Sequence, residues 1–259
     1  MPPVWSARNF IVRLSLLRER VEDWQRYPFA IPAIAALDEL ALERPVTFLI
    51  GENGTGKSTL LEAIAVGCGL NPEGGSKNFR FSTRASHSAL GAHLRLTRSA
   101  KRPRDSYFLR AESYFNLATE IENLDREPGG PLIIDSHGGR SLHEQSHGES
   151  FFALFMHRFG GNGLYLLDEP EAALSPTRQL AFLARLHELV GTGAQFIIAT
   201  HSPILMAYPD AVIFQMTPDG PQDIAYTETE HYTVTRNFLL RTGPMLDTLL
   251  APASDPETD

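Results

Sequence analysis

The 259-residue chain is 42% hydrophobic and 21% charged, a composition that excludes a disordered or collagen-like polypeptide and can bury a substantial core. Its 23 Lys and Arg against 31 Asp and Glu give a formal charge of −8, which argues against a strongly cationic nucleic-acid binder but leaves room for a local basic patch. A single cysteine, Cys68, excludes an intrachain disulfide and a cysteine zinc cage and makes a reducing cytoplasm the natural compartment.

Phe10 to Leu16 alternates apolar and polar residues, the pattern of a half-buried strand. Arg13, Arg18, Glu19, Arg20, Glu22 and Asp23 interrupt any apolar N-terminal core, so no signal peptide is expected. Pro28 to Leu37 is too short and too proline-broken to span a bilayer, which needs about 20 apolar residues, so direct membrane insertion is not expected either. Val46 to Ile50 is a β-branched strand, and Leu60 to Val66 has helical apolar spacing. Leu90 to Leu96 and Ser106 to Leu109 read as strands, followed by an amphipathic helix from about Phe115 to Leu124 that Glu127 to Pro131 ends. Phe151 to Phe159 reads as a helix, Gly163 to Leu167 as a buried strand, Pro176 to Val190 as a helix and Gln195 to Thr200 as another buried strand. Ser202-Pro203 caps a short helix, and Pro218-Asp219-Gly220 marks a hairpin. Apolar strands alternating with helices predict an α/β fold with a mainly parallel sheet covered on both faces. No repeat interrupts it; residues 1–250 read as one domain, with a small helical lobe over about 101–159 and an acidic tail over 251–259.

Chemistry concentrates in Gly51-Glu52-Asn53-Gly54-Thr55-Gly56-Lys57-Ser58, which fits GxxxxGK[ST] and lies between a predicted strand and a predicted helix, as the motif requires. Its glycines let backbone amides of Gly51, Asn53, Gly54, Thr55 and Gly56 turn toward phosphate oxygens, and Thr59 continues the helix whose start adds a positive dipole end. Lys57 is placed to reach β and γ phosphates, and the Ser58 hydroxyl to ligate Mg²⁺. A second acidic half is supplied by Leu164 to Glu169: Asp168 for the metal, and Glu169 to polarise an attacking water. His201, after the strand Phe196 to Ala199, is a candidate sensor of the γ-phosphate.

These motifs in this order resemble the ABC-type ATPases, the class shared by transporter motors, chromosome-segregation proteins and recombination-repair heads. Ser146-His147-Gly148-Glu149-Ser150 stands where that family's LSGGQ signature falls, and Ile198-Ala199-Thr200-His201-Ser202 is similar to its switch-histidine segment. The resemblance is strongest to short bacterial heads without a long coiled coil, through Arg110 to Ser113, Asp168 to Ser175 and Glu228 to Arg236. It implies a three-layer phosphate-loop NTPase that hydrolyses ATP with Mg²⁺ and closes as an ATP-sandwiched homodimer. In that dimer Ser146, His147, Gly148 and Glu149 complete the opposite site, Glu169 acts as base, and Lys57 and His201 stabilise the γ-phosphate charge. His147 and Glu149 depart from the signature consensus, Arg110-Ala111-Glu112 replaces the Mg²⁺-binding glutamine of transporters, and Ser175 sits near the position of an interface aspartate. The missing glutamine and the basic residues Arg80, Arg84, Lys101, Arg102 and Arg104 favour a partner in nucleic-acid maintenance or defence, either nucleic acid itself or another protein. The motor subunit of a membrane transporter is the alternative.

A competing motif is His143-Glu144-Gln145-Ser146-His147, which satisfies the HExxH of zinc hydrolases. By composition a chance HExxH arises roughly tenfold more often than a chance phosphate loop, and flanking Gly138, Gly139 and Gly148 each cost a helix about 1 kcal/mol relative to alanine. Trp24, Tyr27 and Phe29 precede the phosphate loop and are candidates either for stacking on adenine or for the core.

Overall fold

The computed structural model describes residues 9–76, 88–110 and 147–251. Ten strands fall into two sheets: β1 (Ile11–Leu16), β2 (Glu39–Ala41), β3 (Val46–Ile50), β4 (Gly75–Ser76), β5 (Leu94–Arg98), β6 (Asp105–Arg110), β7 (Gly163–Asp168), β8 (Gln195–Ala199), β9 (Val212–Thr217) and β10 (Gly220–Asp223). A seven-stranded sheet has the order β10-β9-β3-β8-β7-β6-β4, and a three-stranded antiparallel sheet has the order β2-β1-β5. Pairings from β9 through β3, β8 and β7 to β6 are all parallel; only the edge strands β10 and β4 run antiparallel.

Side-chain alternation along the central strands divides the core in two. Phe48, Tyr165, Leu167, Phe196 and Ile198 point to one face, where helices α4 (His147–Arg158), α5 (Pro176–Gly191) and α6 (Pro203–Met206) cover them. Leu49, Leu164, Leu166, Ile197 and Ala199 point to the other, beneath the helix Lys57–Gly67 (α2) and the small sheet. Each such side chain contributes about 1.5–3 kcal/mol by leaving water, so the sheet register is strongly fixed. On the first face Phe155 stacks on Phe182 at 4.0 Å and Phe159 on Tyr165 at 4.1 Å.

The two sheets are joined by one buried polar side chain. Gln195 opens β8; its Oε1 accepts from the N–H groups of Phe10 and Ile11 at 2.8 and 3.0 Å, and its Nε2 donates to the Ile11 carbonyl at 2.7 Å. A buried amide is tolerable because both of its ends are satisfied.

Most predicted elements appear near their expected limits, with α2 beginning at Lys57 and α4 at His147, three and four residues before the predicted starts. Two differ. Residues 90–93 form a helical turn (α3, Leu90–His93) before β5, so Leu90 and Leu94 are buried one turn apart rather than alternating along one strand. Within the span 101–159 where a helical lobe is expected, Asp105–Arg110 is a strand of the large sheet paired with β7 and α4 buries Phe151, Leu154 and Phe155 in the sheet's core, while 111–146 lie outside the described residues. The helix expected at 115–124 and the tail at 252–259 lie outside the described residues. After β10 come helices α7 (Glu230–Leu240) and α8 (Thr242–Leu249), neither of which buries a side chain. Pro32–Ala35 (α1) completes the helices.

Candidate active site

Three neighbouring strands deliver the candidate residues to one edge of the sheet. β3 leads into the loop 51–56, β7 ends at Asp168, and β8 ends two residues before His201, with Leu49 and Asp168 both in register with Ala199. The carboxyl ends of parallel strands are where open α/β sheets place ligands. No sequence pattern shorter than the whole fold could have brought these three segments together.

The loop is a turn that only its glycines permit. Gly51, Gly54 and Gly56 have φ of 137°, 82° and 97°, and Gly56 is the left-handed residue immediately before α2. Thr55 tightens the turn by donating Oγ1 to the Glu52 carbonyl at 2.8 Å, while Asn53 is exposed beside it. Lys57 folds back inside: only 4% exposed, its Nζ donates to the carbonyls of Gly51 and Glu52 at 2.8 and 2.9 Å. Burial pushes the ammonium below the usual lysine range, opposed by the nearby carboxylates of Glu169, Asp168 and Glu171. Thr59 Oγ1 lies 3.2 Å from the Tyr27 hydroxyl, whose ring is 62% exposed. Phe29, in contrast, is buried in the core, with the partly buried Trp24 packed on its edge.

On the acidic side, Ser58 Oγ donates to Asp168 Oδ1 at 2.9 Å. Asp168 Oδ2 is 3.3 Å from Arg110 Nε, and Arg110 Nη1 continues to Glu62 Oε2 at 2.9 Å. A hydroxyl and a carboxylate converging from two elements are the hard oxygen donors that Mg²⁺ prefers, so this corner fits the cation. Arg110 falls in the segment that replaces the transporter glutamine, and its role as clamp on Asp168 was not evident from sequence.

Glu169 occupies the left-handed region at φ 50°, ψ 53°, a conformation that costs a non-glycine residue about 1 kcal/mol or more and turns its side chain away from the strand. Its Oε1 faces His201 Nε2 at 3.6 Å. His201 is held from two further sides: its N–H donates to Glu171 Oε1 at 2.5 Å, and its Nδ1 meets His231 Nε2 at 3.1 Å. Burial pushes Glu171 above the ordinary carboxylate range, and burial together with the Lys57 charge pushes His201 below the usual imidazole range. Neither Glu171 nor His231 was singled out from sequence; each lies inside a segment noted for its resemblance, without periodicity to mark it. A cavity of about 660 Å³ is lined by Gly51, Asn53, His201, Gln215, His231 and Thr235 among others, between the phosphate loop and α7.

The other candidates are placed as follows. Ser146 lies outside the described residues; His147 and Gly148 open α4, and Glu149 is exposed with its carboxylate 3.6 Å from Arg178. Of the HExxH segment only His147 is described, and the described residues hold no group of three His, Cys, Asp or Glu side chains arranged for a metal. Ser175 caps α5, its hydroxyl accepting from the Arg178 N–H. Lys101, Arg102 and Arg104 are exposed, whereas Arg80 and Arg84 lie outside the described residues. No helix among the described residues is long and apolar enough to cross a membrane.

Two family models match the chain: an AAA domain over residues 34–123, and an AAA domain whose description names AbiEii toxin and a type IV TA system over residues 94–207. No curated protein matched the sequence. Among solved structures, MJ1267, an ATP-binding cassette of an ABC transporter, superposes with a TM-score of 0.50 at 18% identity, covering 94% of this chain and 100% of its own. CbiO1 from Clostridium perfringens, part of the transporter complex CbiONQ, gives 0.48 at 16% identity over 94% and 100% of the two chains. The SMC head domain from Thermotoga maritima gives 0.43 at 16% over 83% and 98%. In fold, and over the two matched segments, the chain is thus similar to ATPase domains of the AAA and ATP-binding-cassette kinds.

Proposed function

We propose that the protein hydrolyses ATP to ADP and phosphate. The observation that carries the reading is the convergence of Lys57, Ser58 and Asp168 at one corner, with Glu169 and His201 beside them. The amides of 51–56 and the start of α2 hold the phosphate chain, Lys57 exchanges its loop carbonyls for β and γ oxygens, and Tyr27 offers its exposed ring to the adenine. Ser58 and Asp168 hold Mg²⁺, which when bound neutralises charge on the β and γ phosphates. Glu169 orients a water and takes its proton as the water oxygen bonds to the γ-phosphorus and the bond to the β,γ-bridging oxygen breaks; His201 stabilises charge on the departing phosphoryl group.

The site is half built in a single chain. We read the active form as a homodimer in which Ser146 together with His147, Gly148 and Glu149, the last three at the start of α4, in one copy face the phosphate loop of another, donors at a helix start being suited to a γ-phosphate. A cytoplasmic switch in nucleic-acid maintenance or defence is the setting favoured by Arg110 in place of a transporter glutamine and by the AbiEii-type description of the matching model.

The test is ATP turnover by the purified chain with and without DNA, beside Lys57→Ala and Glu169→Gln. Turnover abolished in the first, with ATP binding retained and a dimer accumulating in the second, is the expected result. An active Glu169→Gln, or one that stays monomeric with saturating ATP, contradicts the reading.

A further inference from the structure

His231 lies 30 residues beyond His201, in the first turn of α7, and its placement is firm although that helix buries no side chain. Thr229 caps the helix and is fully buried, with its Oγ1 donating to the Tyr226 carbonyl at 2.8 Å. The Tyr226 hydroxyl in turn donates to the Pro203 carbonyl at 2.9 Å, two residues past His201. The imidazole therefore reaches the active site on a short, pinned tether.

A neutral imidazole has one N–H and one bare nitrogen, so a bond between two neutral imidazoles fixes both rings once either is known. The contact with Glu169 selects the arrangement. His201 Nε2 faces Glu169 Oε1 at 3.6 Å, and an ionised carboxylate only accepts; a bare Nε2 there would set two lone pairs against each other. His201 thus carries its hydrogen on Nε2 and leaves Nδ1 bare, which requires His231 Nε2–H to donate across the 3.1 Å contact. His231 Nδ1 is then bare, and it is a buried atom with no hydrogen-bond partner among the described residues. His201 Nε2 is itself buried without a hydrogen-bond partner among the described residues, so either arrangement strands one N–H; the opposite one also turns a lone pair of His201 toward the Glu169 carboxylate at 3.6 Å, and that charge decides between them.

We propose that His231 is a positioning residue that fixes the tautomer of His201, holding the hydrogen on Nε2, where it faces Glu169 and the terminal phosphate. The tautomer rests on the contacts of His201 with Glu169 and His231; its consequence for catalysis rests on the ATPase reading above. The charged and titratable groups facing the pair are Lys57, Glu169, Glu171 and Glu230. Burial, the Lys57 charge and, for His231, its neighbour His201 all push these rings toward the neutral form on which the argument depends.

Imidazole ¹⁵N spectra of the full-length protein without nucleotide test the tautomer directly. Wild type is expected to show His201 with Nε2 protonated and Nδ1 bare. His231→Phe, which keeps a ring but no donor, is expected to show a mixture of both forms, and His231→Gln, whose amide nitrogen can donate from a similar position, to restore the wild-type signal. In turnover, His231→Phe should lower kcat about ten- to hundredfold, the range lost when the group orienting a functional imidazole is removed, with KM for Mg-ATP nearly unchanged. His231→Gln should recover most of it. A wild-type His201 protonated on Nδ1, or a folded His231→Phe with unaltered tautomer and kcat, overturns the proposal. Inactivity of the wild type alongside the expected spectrum would instead remove the ATPase reading and leave the tautomer assignment standing.

Discussion

Ser58 Oγ donates to Asp168 Oδ1 across 2.9 Å, joining the first turn of α2 to the end of β7 over 110 residues of chain. Asp168→Asn keeps the side chain's shape while removing the charge that Mg²⁺ and Arg110 share. Mg-dependent nucleotide binding should fall at least about tenfold, and folding stability by about 1–3 kcal/mol, the usual cost of weakening a hydrogen bond to a charged group. Calorimetric titration of Mg-ATP and urea unfolding read the two effects separately.

Arg110 bridges two carboxylates, Asp168 and Glu62, whose side chains are 7% and 14% exposed. Arg110→Met leaves both acids without their cation in a partly dry setting. A loss of about 2–3 kcal/mol is expected, below the full figure for deeply buried pairs because some solvent reaches the group. Arg110→Lys should recover little, since one ammonium cannot hold both acids as the guanidinium does. Urea midpoints of the three proteins decide this.

Gly56 combines φ of 97° with close neighbours: a Cβ there would stand 3.1 Å from Ile34 Cγ1 and 3.2 Å from Ile31 Cγ2. Gly56→Ala should cost about 1–3 kcal/mol of stability, and nucleotide binding should fall further as the loop shifts. Equal thermal midpoints and equal affinity for the two proteins would show that the loop tolerates a side chain.

The two histidines also make a pH prediction whose sign follows from their direction. Both have folded pKa values below the usual imidazole value near 6.5, so across that interval the unfolded chain binds protons that the native protein does not. Their contribution to stability is complete above the unfolded value and is lost as pH falls through it toward the folded one. Glu171 acts in reverse: its folded pKa is raised, so its contribution declines as pH rises above the ordinary carboxylate value. Between about pH 7.5 and about pH 5.5 the urea midpoint of wild type should fall, and His231→Gln should flatten the decline. Glu171→Gln, which removes the opposing contribution, should keep that decline and steepen it.

How much of this could be read in the amino acids depended on the range of each interaction. The phosphate loop and the acidic strand end were legible because each is a contiguous pattern whose flanking strand and helix carry their own periodicity. Gln195 reads only as the polar start of an apolar strand, and its bonds to Phe10 and Ile11 span most of the chain. His231 is likewise one histidine on a solvated helix, given meaning by a contact that no local spacing encodes. Leu90 to Leu96 misled in the opposite way: apolar residues at 90, 94 and 96 suit both a strand and a turn of helix, and the structure uses each in succession.

The unbroken run of parallel neighbours from β9 to β6 has a mechanical corollary. The loop 51–56, Asp168 with Glu169, and His201 all follow strands of a single slab, so flexing of the sheet carries all three along together and changes their mutual spacing little. Timing must then be imposed from outside the slab. Helix α7, which brings His231 to the candidate site without burying a side chain of its own, is built like a trigger resting on a fixed lock.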